Sequence, residues 1–297
     1  MKHFLGLLII SFAYSQNCEI KSLFIKLPNK TKNVFEKNLK IAYENFNQNP
    51  SSDNLIWIGR RHAYLGNYES AIEYFSQGIS TYPLDARFYR HRGHRLITNR
   101  CFERAINDLK KAANLSNNKS NEIEPDGLPN SLNIPTSTLK GNIYYHLGLA
   151  YYFESQFKEA MLAFEKCIEF SKNNDSYVAA ANWLYIIYSQ LNMINKADKL
   201  LAKIDNQMNL IENHSYLSIL NLYKDSNNLI EIEKKIFKEE SLNSITLAFG
   251  LGNFYLLKGE TEKAYKIYNL IANSDQWSSF AYIGAEVMLK KYQTQNK

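Results

Sequence analysis

Residues 66–83 read GNYESAIEYFSQGISTYP, and residues 100–115 read RCFERAINDLKKAANL. Both segments have an alanine at the same place, Ala71 and Ala105, and 34 residues separate the two alanines. A third segment, SQFKEAMLAFEKCIEF, places Ala160 in the same context. In each segment an aromatic residue lies three positions before the alanine, a bulky apolar residue four positions after it and a small residue seven positions after it. Self-similarity at a fixed period indicates a repeat architecture.

A glycine lies twelve residues before each of these alanines, at Gly59, Gly93 and Gly148. Each glycine lies in another segment, upstream of the one that contains the alanine, and we expect this segment to be helical too. Because glycine in a helix costs about 1 kcal/mol relative to alanine, its fixed position predicts a close approach between two packed helices. Ala264 has similar surroundings, with Gly252 twelve residues before it. The sequence therefore predicts a series of helix pairs.

The segments YLGNYESAIEYFSQGISTYP and GLGNFYLLKGETEKAYKIYNLI resemble tetratricopeptide repeats. The resemblance implies an all-α fold, a right-handed superhelical solenoid of antiparallel helix pairs, with the first helix of each pair on the concave face. We expect the solenoid to cover 51–297, after an N-terminal segment at 16–50 that contains a half-repeat helix. The expected units are 53–84, 86–115, 138–171, 178–206, 213–240 and 245–275, followed by a capping helix at 278–291.

The second and third units are separated by an insertion. The spacing from Ala105 to Ala160 is 55 residues, which is one repeat of 34 plus 21 more. The surplus lies in SNNKSNEIEPDGLPNSLNIPTS at 116–137, where three prolines and the lack of helical periodicity predict a loop. Loops of this length are uncommon in compact domains and often functional, and a solvated insertion is the alternative. Its acidic residues are Glu122, Glu124 and Asp126, against one lysine.

A cationic helix precedes the loop. Residues 87–97 read RFYRHRGHRLI, with four arginines, two histidines and no acidic residue, and most of these cations fall on one helical face. By resemblance, the residues expected on the concave face are Arg60, Arg87, Arg90, His94, Asn142 and Tyr145. A basic end of the groove resembles the carboxylate-clamp members of the family, in which cations and amides hold the terminal carboxylate of a peptide. We therefore expect a protein or peptide partner that carries an acidic group.

Two other interpretations of the cationic face remain open. A charge-rich helix face is usually solvated surface. Alternatively, the acidic residues of the loop fold back onto Arg60, Arg90 or Arg95 and cover that end of the groove, through exposed pairs worth about 0–1 kcal/mol each. Arg92 lies where the repeat prefers leucine, so we expect its stem to pack while its guanidinium reaches an acid or a carbonyl.

No catalytic motif is present, since the chain lacks a Gly-rich phosphate loop, GxSxG and HExxH. His91 and His94 have a spacing that can chelate a metal, but the neighbouring arginines would repel a dication. Confinement of the cations to one helix argues against nucleic-acid binding. We expect a binding protein without catalysis, cofactor, metal or nucleic acid. An enzyme or metal-binding protein that uses residues 87–95 is the alternative.

The first residues predict export. MKH and the apolar run at 4–12 are typical of a signal peptide, which we place at 1–15, and the protein would then be periplasmic or secreted. Lipidation of Cys18 and a buried N-terminal helix are the alternatives. No later segment is long and apolar enough to span a membrane. The chain has three cysteines and no CxxC spacing, so we do not expect a disulfide framework, and Cys167 should be a core residue.

Overall fold

The computed structural model describes residues 18–22, 27–236, 238 and 241–295. The signal peptide predicted for 1–15 lies outside these residues. The regular secondary structure of the described residues is helical, apart from one isolated bridge between Ile123 and Thr138. Its helices are α1 (Asn29–Gln48), α2 (Ser52–Tyr64), α3 (Tyr68–Thr81), α4 (Ala86–Thr98), α5 (Phe102–Ser116), α6 (Leu139–Phe153), α7 (Phe157–Phe170), α8 (Asn174–Gln190), α9 (Ile194–Leu201), α10 (His214–Asp225), α11 (Leu229–Ile236), α12 (Leu242–Leu257), α13 (Thr261–Ala272) and α14 (Phe280–Gln295).

The first and second helices of a unit pack against each other in five of the expected units, α2 with α3, α4 with α5, α6 with α7, α8 with α9 and α12 with α13. In the remaining unit, α10 packs against α8, α9 and α12, and α11 packs against α12. The fold is an all-α solenoid. The half-repeat helix α1 packs against α2, and α14 packs against α12 and α13 as a cap that continues to 295. The shortest second helices, α9 and α11, have eight residues each and belong to the fourth and fifth units, whose sequences match the repeat most loosely. None of the described helices is long and apolar enough to cross a membrane.

The two helices of a unit meet at the predicted glycine. A Cβ built on Gly148 of α6 would lie 2.6 Å from Cδ2 of Phe164 on α7, closer than real Cβ atoms approach another atom. The same contact recurs in four units, between Gly59 and Phe75, Gly93 and Leu109, Gly148 and Phe164, and Gly252 and Tyr268. The glycine thus makes room for the large side chain that follows it by 16 residues. The prediction of a close helix approach is confirmed.

The last helix returns to the first units of the solenoid. Phe280, at the start of α14, contacts His94 of α4 and His146 of α6, with ring centroids 5.3 and 5.5 Å apart. Just before α14, Trp277 stacks on Tyr68 of α3 at 6.3 Å. Residues 277–280 therefore cover part of the surface formed by α4 and α6.

Arg100 holds this returning segment from the turn between α4 and α5. Its guanidinium donates from Nη2 to the carbonyl oxygen of Trp277 at 3.0 Å and forms an ion pair with Glu286 at 2.7 Å. The same guanidinium lies over the Trp277 ring, 3.7 Å from its centroid. The second unit is thus joined directly to the cap.

We expected no disulfide framework, but the described chain does have a disulfide. Cys18 and Cys101 form a disulfide across 83 residues of sequence, with their Cα atoms 5.2 Å apart. The N-terminal segment lies along the α4–α5 turn, where the amide of Lys21 donates to Oδ1 of Asn99 at 2.8 Å, and sequence spacing gives no sign of this contact. A sulfur in a disulfide is not available for a lipid. Cys167 is a buried free thiol, as expected, and burial raises its pKa to about 12.

Gly148→Ala should destabilise the protein by about 1–3 kcal/mol, because the added methyl group overpacks the contact with Phe164. Phe164→Leu should relieve part of that loss when the two substitutions are combined. Urea unfolding of the two single variants and the double variant measures the coupling. Strictly additive losses would show that the two positions do not constrain each other.

Candidate functional site

The insertion at 116–137 is an ordered cover on the concave face. Its two arms pair, since the amide of Glu124 donates to the carbonyl of Ser137 at 3.1 Å and the amide of Leu139 donates to the carbonyl of Glu122 at 2.9 Å. As predicted, the described insertion has no helix beyond the end of α5. Because both arms are held, side chains between them occupy defined positions against the solenoid.

Glu124 folds back onto Arg90, which was one of the open interpretations. Nη2 of Arg90 lies 2.9 Å from Oε1 of Glu124, and the side-chain amide of Asn142 donates from Nδ2 to Oε2 of Glu124 at 3.1 Å. The side chains of Arg90 and Glu124 are 8% and 9% exposed, so the pair is buried and not the exposed pair that we expected. Burial lowers the pKa of Arg90, and Glu124 opposes that shift. Removal of either partner leaves a buried charge without its counterion, which is far costlier than the loss of a surface pair.

The turn after Glu124 is clamped to α2. Nη2 of Arg60 donates to the carbonyl of Pro125 at 2.8 Å, and Nη1 of Arg61 donates to the carbonyl of Gly127 at 3.1 Å. A Cβ on Gly127 would lie 1.6 Å from the hydroxyl oxygen of Tyr64, so only glycine fits there without displacing the turn. The sequence predicted a role for Arg60 but missed Arg61 and Tyr64.

Arg87 lies apart from the other predicted residues. It forms ion pairs with Asp85 at 2.6 Å and with Asp53 at 2.5 Å, and it lines a separate cleft of about 730 Å³ with Lys119 and Glu122. Arg87 therefore does not lie with Arg60, Arg90 and His94, beside which we expected it on the concave face. Glu122, one of the three acids that the open alternative folds back onto the arginines, lines the same separate cleft. The acid at the N-cap of α4 attracts Arg87 locally.

The head of Arg92 reaches an acid, as predicted. Its Nε and Nη2 donate to the two carboxylate oxygens of Asp108 at 2.7 and 2.8 Å. This pair joins the two helices of the second unit and accounts for an arginine where the repeat prefers leucine.

The histidines of the cationic helix are packed among rings. His91 stacks on Phe75 at 5.4 Å, while His94 lies 4.2 Å from the ring of His146 and beneath Phe280. Burial, together with neighbouring arginine charges, holds the pKa of each of these histidines well below the ordinary value. The described residues include no group of three or more His, Cys, Asp or Glu side chains placed to hold a metal. His94 is thus shielded from a partner in the groove.

One part of the concave side remains open as a cavity of about 300 Å³. Its walls come from the insertion, from α6, α7 and α8, from the start of α10, and from Phe280. Of the predicted residues it contains Asn142, Tyr145 and Asp126. The lining residues are Asp126, Thr136, Ser137, Thr138, Gly141, Asn142, Tyr145, Cys167, Phe170, Ser171, Ser176, Ala179, Glu212, Asn213, Tyr216 and Phe280.

Two tyrosines with fixed hydroxyls line this cavity. The hydroxyl of Tyr145 accepts from Nε1 of Trp183 at 3.0 Å and lies 3.3 Å from the hydroxyl of Tyr216. Burial raises the pKa of both tyrosines, so both are neutral at ordinary pH. Sequence reasoning placed Tyr145 at the site but missed Tyr216 and Phe280, because only the closure of the solenoid brings α10 and α14 next to α6.

Asp126 and Glu212 are the charged residues among those that line the cavity. Oδ2 of Asp126 is buried and has no hydrogen-bond partner among the described residues. Glu212 accepts from Oγ1 of Thr136 at 2.5 Å. Burial raises the pKa of Asp126, the charges of Glu212 and Glu124 act in the same direction, and Arg60 opposes them. The open part of the groove is therefore acidic, whereas the predicted basic end is covered by the insertion.

Helix pairs stacked along a shared concave side define a helical-repeat solenoid, a class that generally serves as a scaffold for binding other proteins. A family model for the tetratricopeptide repeat matches residues 53–83 and 141–174. These two segments are therefore tetratricopeptide repeats. No curated protein gives a significant sequence match.

Several solved repeat structures are similar in fold. YrrB, described as a tetratricopeptide repeat protein with an unusual peptide-binding site, is 14% identical, with 82% of this chain and 97% of that chain covered and a TM-score of 0.44. A tetratricopeptide repeat protein from Parabacteroides merdae is 15% identical, with 86% and 94% covered and a TM-score of 0.49. MamA is 17% identical, with 80% and 97% covered and a TM-score of 0.38. At these values the similarity says nothing about a ligand.

The free energy of unfolding should fall as the pH drops below about 6.5. His91, His94 and His146 stay neutral in the folded protein, whereas in the unfolded chain they bind protons near their ordinary pKa of about 6.5, so acid favours unfolding. Each histidine contributes a slope of at most about 1.4 kcal/mol per pH unit.

Urea unfolding between about pH 7.5 and about pH 5.5 measures this slope. His146→Gln should make it shallower, and His214→Gln, at an exposed position of α10, is the control and should leave it unchanged. Equal slopes for His146→Gln and the unmodified protein would contradict the assignment of His146 as a buried neutral group.

Proposed function

We propose that this protein is an exported, non-catalytic scaffold that binds a segment of a protein or peptide partner on its concave side. The proposal takes the binding role from the repeat class and the export from the predicted signal peptide. The observation that supports this binding site is the cavity between the insertion, α6, α8 and α10, because it stays open beside the surfaces that the insertion and Phe280 cover.

The lining of the cavity suits a side chain of a partner. Its volume of about 300 Å³ is at the low end for small-molecule pockets, so it fits one anchoring group and not an extended chain. Rings form part of the lining, and hydroxyl and amide groups of Asn142, Ser171 and Ser176 surround them. Aromatic anchors enclosed by polar groups are typical of the residues that dominate the energy of an interface.

The absence of catalysis is part of the proposal. The hydroxyls of Tyr145 and Tyr216 are held neutral, and the Cys167 thiol is buried with a raised pKa, so none of them is an activated nucleophile or base. The histidines of α4 and α6 lie beneath rings. The lining of the cavity thus offers donors and acceptors for binding without an evident acid, base and nucleophile set.

Ser176→Phe should abolish the binding of peptides selected on the unmodified protein, because the added ring fills the cavity from α8. The peptides would come from a random displayed library, and binding would be measured by fluorescence anisotropy with about a tenfold or greater loss of affinity expected. Ser189→Phe is the matched control, since Ser189 is also a half-buried serine of α8 but does not line the cavity. Enriched peptides that bind the Ser176→Phe protein unchanged would place the site elsewhere.

A second candidate is an acidic partner that replaces Glu124 on Arg90. The observation that favours it is the position of the Glu124 carboxylate, which contacts the guanidinium of Arg90 and the side-chain amide of Asn142. The carboxylate of a bound partner could make the same two contacts. In this candidate the predicted basic end of the groove is real, and the insertion competes with the partner for it.

Glu124→Gln should then increase the affinity for a peptide with a free terminal carboxylate by about tenfold, because the neutral amide competes less well for Arg90. The same peptide with an amidated end should show no gain. Glu122→Gln is the matched control, since Glu122 is exposed and forms no ion pair with Arg90. Equal affinities of the two variants for the carboxylate peptide would exclude competition by Glu124.

A further inference from the structure

We propose that the group received by the cavity is an organic cation, the alkylammonium or guanidinium of a lysine or arginine side chain in the partner segment. The inference rests on the proposed function for the source of the cation, but the charge preference follows from the cavity itself. It also reverses the sign of the partner group that the sequence suggested.

The charge of the lining is the first argument. Asp126 and Glu212 are both in the lining, and none of the sixteen lining residues in the described chain is a lysine, arginine or histidine. Glu212 is held by neutral groups, the hydroxyl of Thr136 at 2.5 Å and the side-chain amide of Asn130 at 3.5 Å. These contacts fix the carboxylate without neutralising it, so its charge remains available to a bound cation.

Asp126 supplies the second argument. Its Oδ2 atom is buried but accepts no hydrogen bond from the described residues, although Arg60 and Arg61 bond the backbone on either side of it. The turn is therefore clamped by cations whose hydrogen bonds go to carbonyl oxygens and not to the carboxylate. A buried acceptor without a donor costs free energy, and an ammonium or guanidinium group in the cavity would supply the missing donor.

The aromatic walls are the third argument. Tyr145, Tyr216, Phe170 and Phe280 line the same cavity as the two carboxylates. The negative faces of aromatic rings attract cations, with more effect where water is excluded. An anion would meet both carboxylates, and a neutral alkyl group would leave Asp126 unsatisfied, so a cation is the ligand that uses every part of the lining.

The test uses the full exported chain and three matched probes, the acetyl and methylamide derivatives of lysine, norleucine and glutamate. Amide chemical shifts of Gly141 and Ser176, which line the cavity, would report binding by NMR titration. The lysine derivative should bind at least about tenfold more tightly than the norleucine derivative, and the glutamate derivative should bind weakest. Added salt should weaken the binding of the lysine derivative alone.

The combined variant Asp126→Asn and Glu212→Gln should remove the preference for lysine over norleucine. Both amides keep an oxygen acceptor, so Thr136 retains its partner and the insertion should stay folded. The control is Glu159→Gln with Glu262→Gln, which makes the same change in net charge at exposed positions outside the cavity. Equal affinities of lysine and norleucine derivatives in the unmodified protein, or an unchanged preference in the combined variant, would overturn the inference.

The outcomes separate this inference from the proposed function. If library peptides require the cavity, as judged by Ser176→Phe, but show no preference for lysine or arginine, the scaffold stands and the cation site fails. If n-butylammonium binds with the same dependence on Asp126 and Glu212 while no peptide does, the cation site stands, its ligand is a free small amine, and the scaffold role fails.

Discussion

The structure depends on one steric constraint, the close approach of two helices where a glycine faces a large side chain. In four units a glycine of the first helix lies against the residue 16 positions later, as Gly148 does against Phe164. This contact sets the distance between the helices of a unit, and the buried alanine of the repeat sits beside it with no exposed surface. With that distance fixed, units stack in register, and a concave side lined by first helices follows.

The sequence was sufficient for the fold because its signals are local. The alanine and glycine positions are read within a single unit, so the all-α solenoid could be predicted. The site was only partly predictable. Asn142, Tyr145 and Asp126 were found because the repeat or the insertion marks them, whereas Glu212, Tyr216 and Phe280 reach the cavity through the closure of the array. Arg87 was predicted on the concave face, but its ion pairs with Asp85 and Asp53 hold it in a separate cleft.

The insertion changes what the concave side can do. In an open solenoid a partner would lie along several first helices. Here Glu124 forms an ion pair with Arg90, so that arginine is not free to bind a partner. The turn at Gly127 packs against Tyr64, and Phe280 packs against His94. The predicted basic end of the groove is covered, and the space that stays open is a small acidic cavity, to which the loop contributes Asp126 and the segment before α10 contributes Glu212. The disulfide was unexpected for a related reason, since it joins residues that only the folded array brings together.

The turn at 99–101 gives the protein an unusual mechanical layout. Cys101 in this turn forms the disulfide with Cys18, near the start of the described chain. Arg100 in the same turn donates to the carbonyl of Trp277 and forms an ion pair with Glu286, both near its end. In an ordinary array of stacked repeats each unit contacts only its neighbours, so unfolding can start at either terminal unit. Here the residues near both ends of the described chain are bound to the same turn. A pulling force between the two termini would therefore load the turn at 99–101 before the units between them.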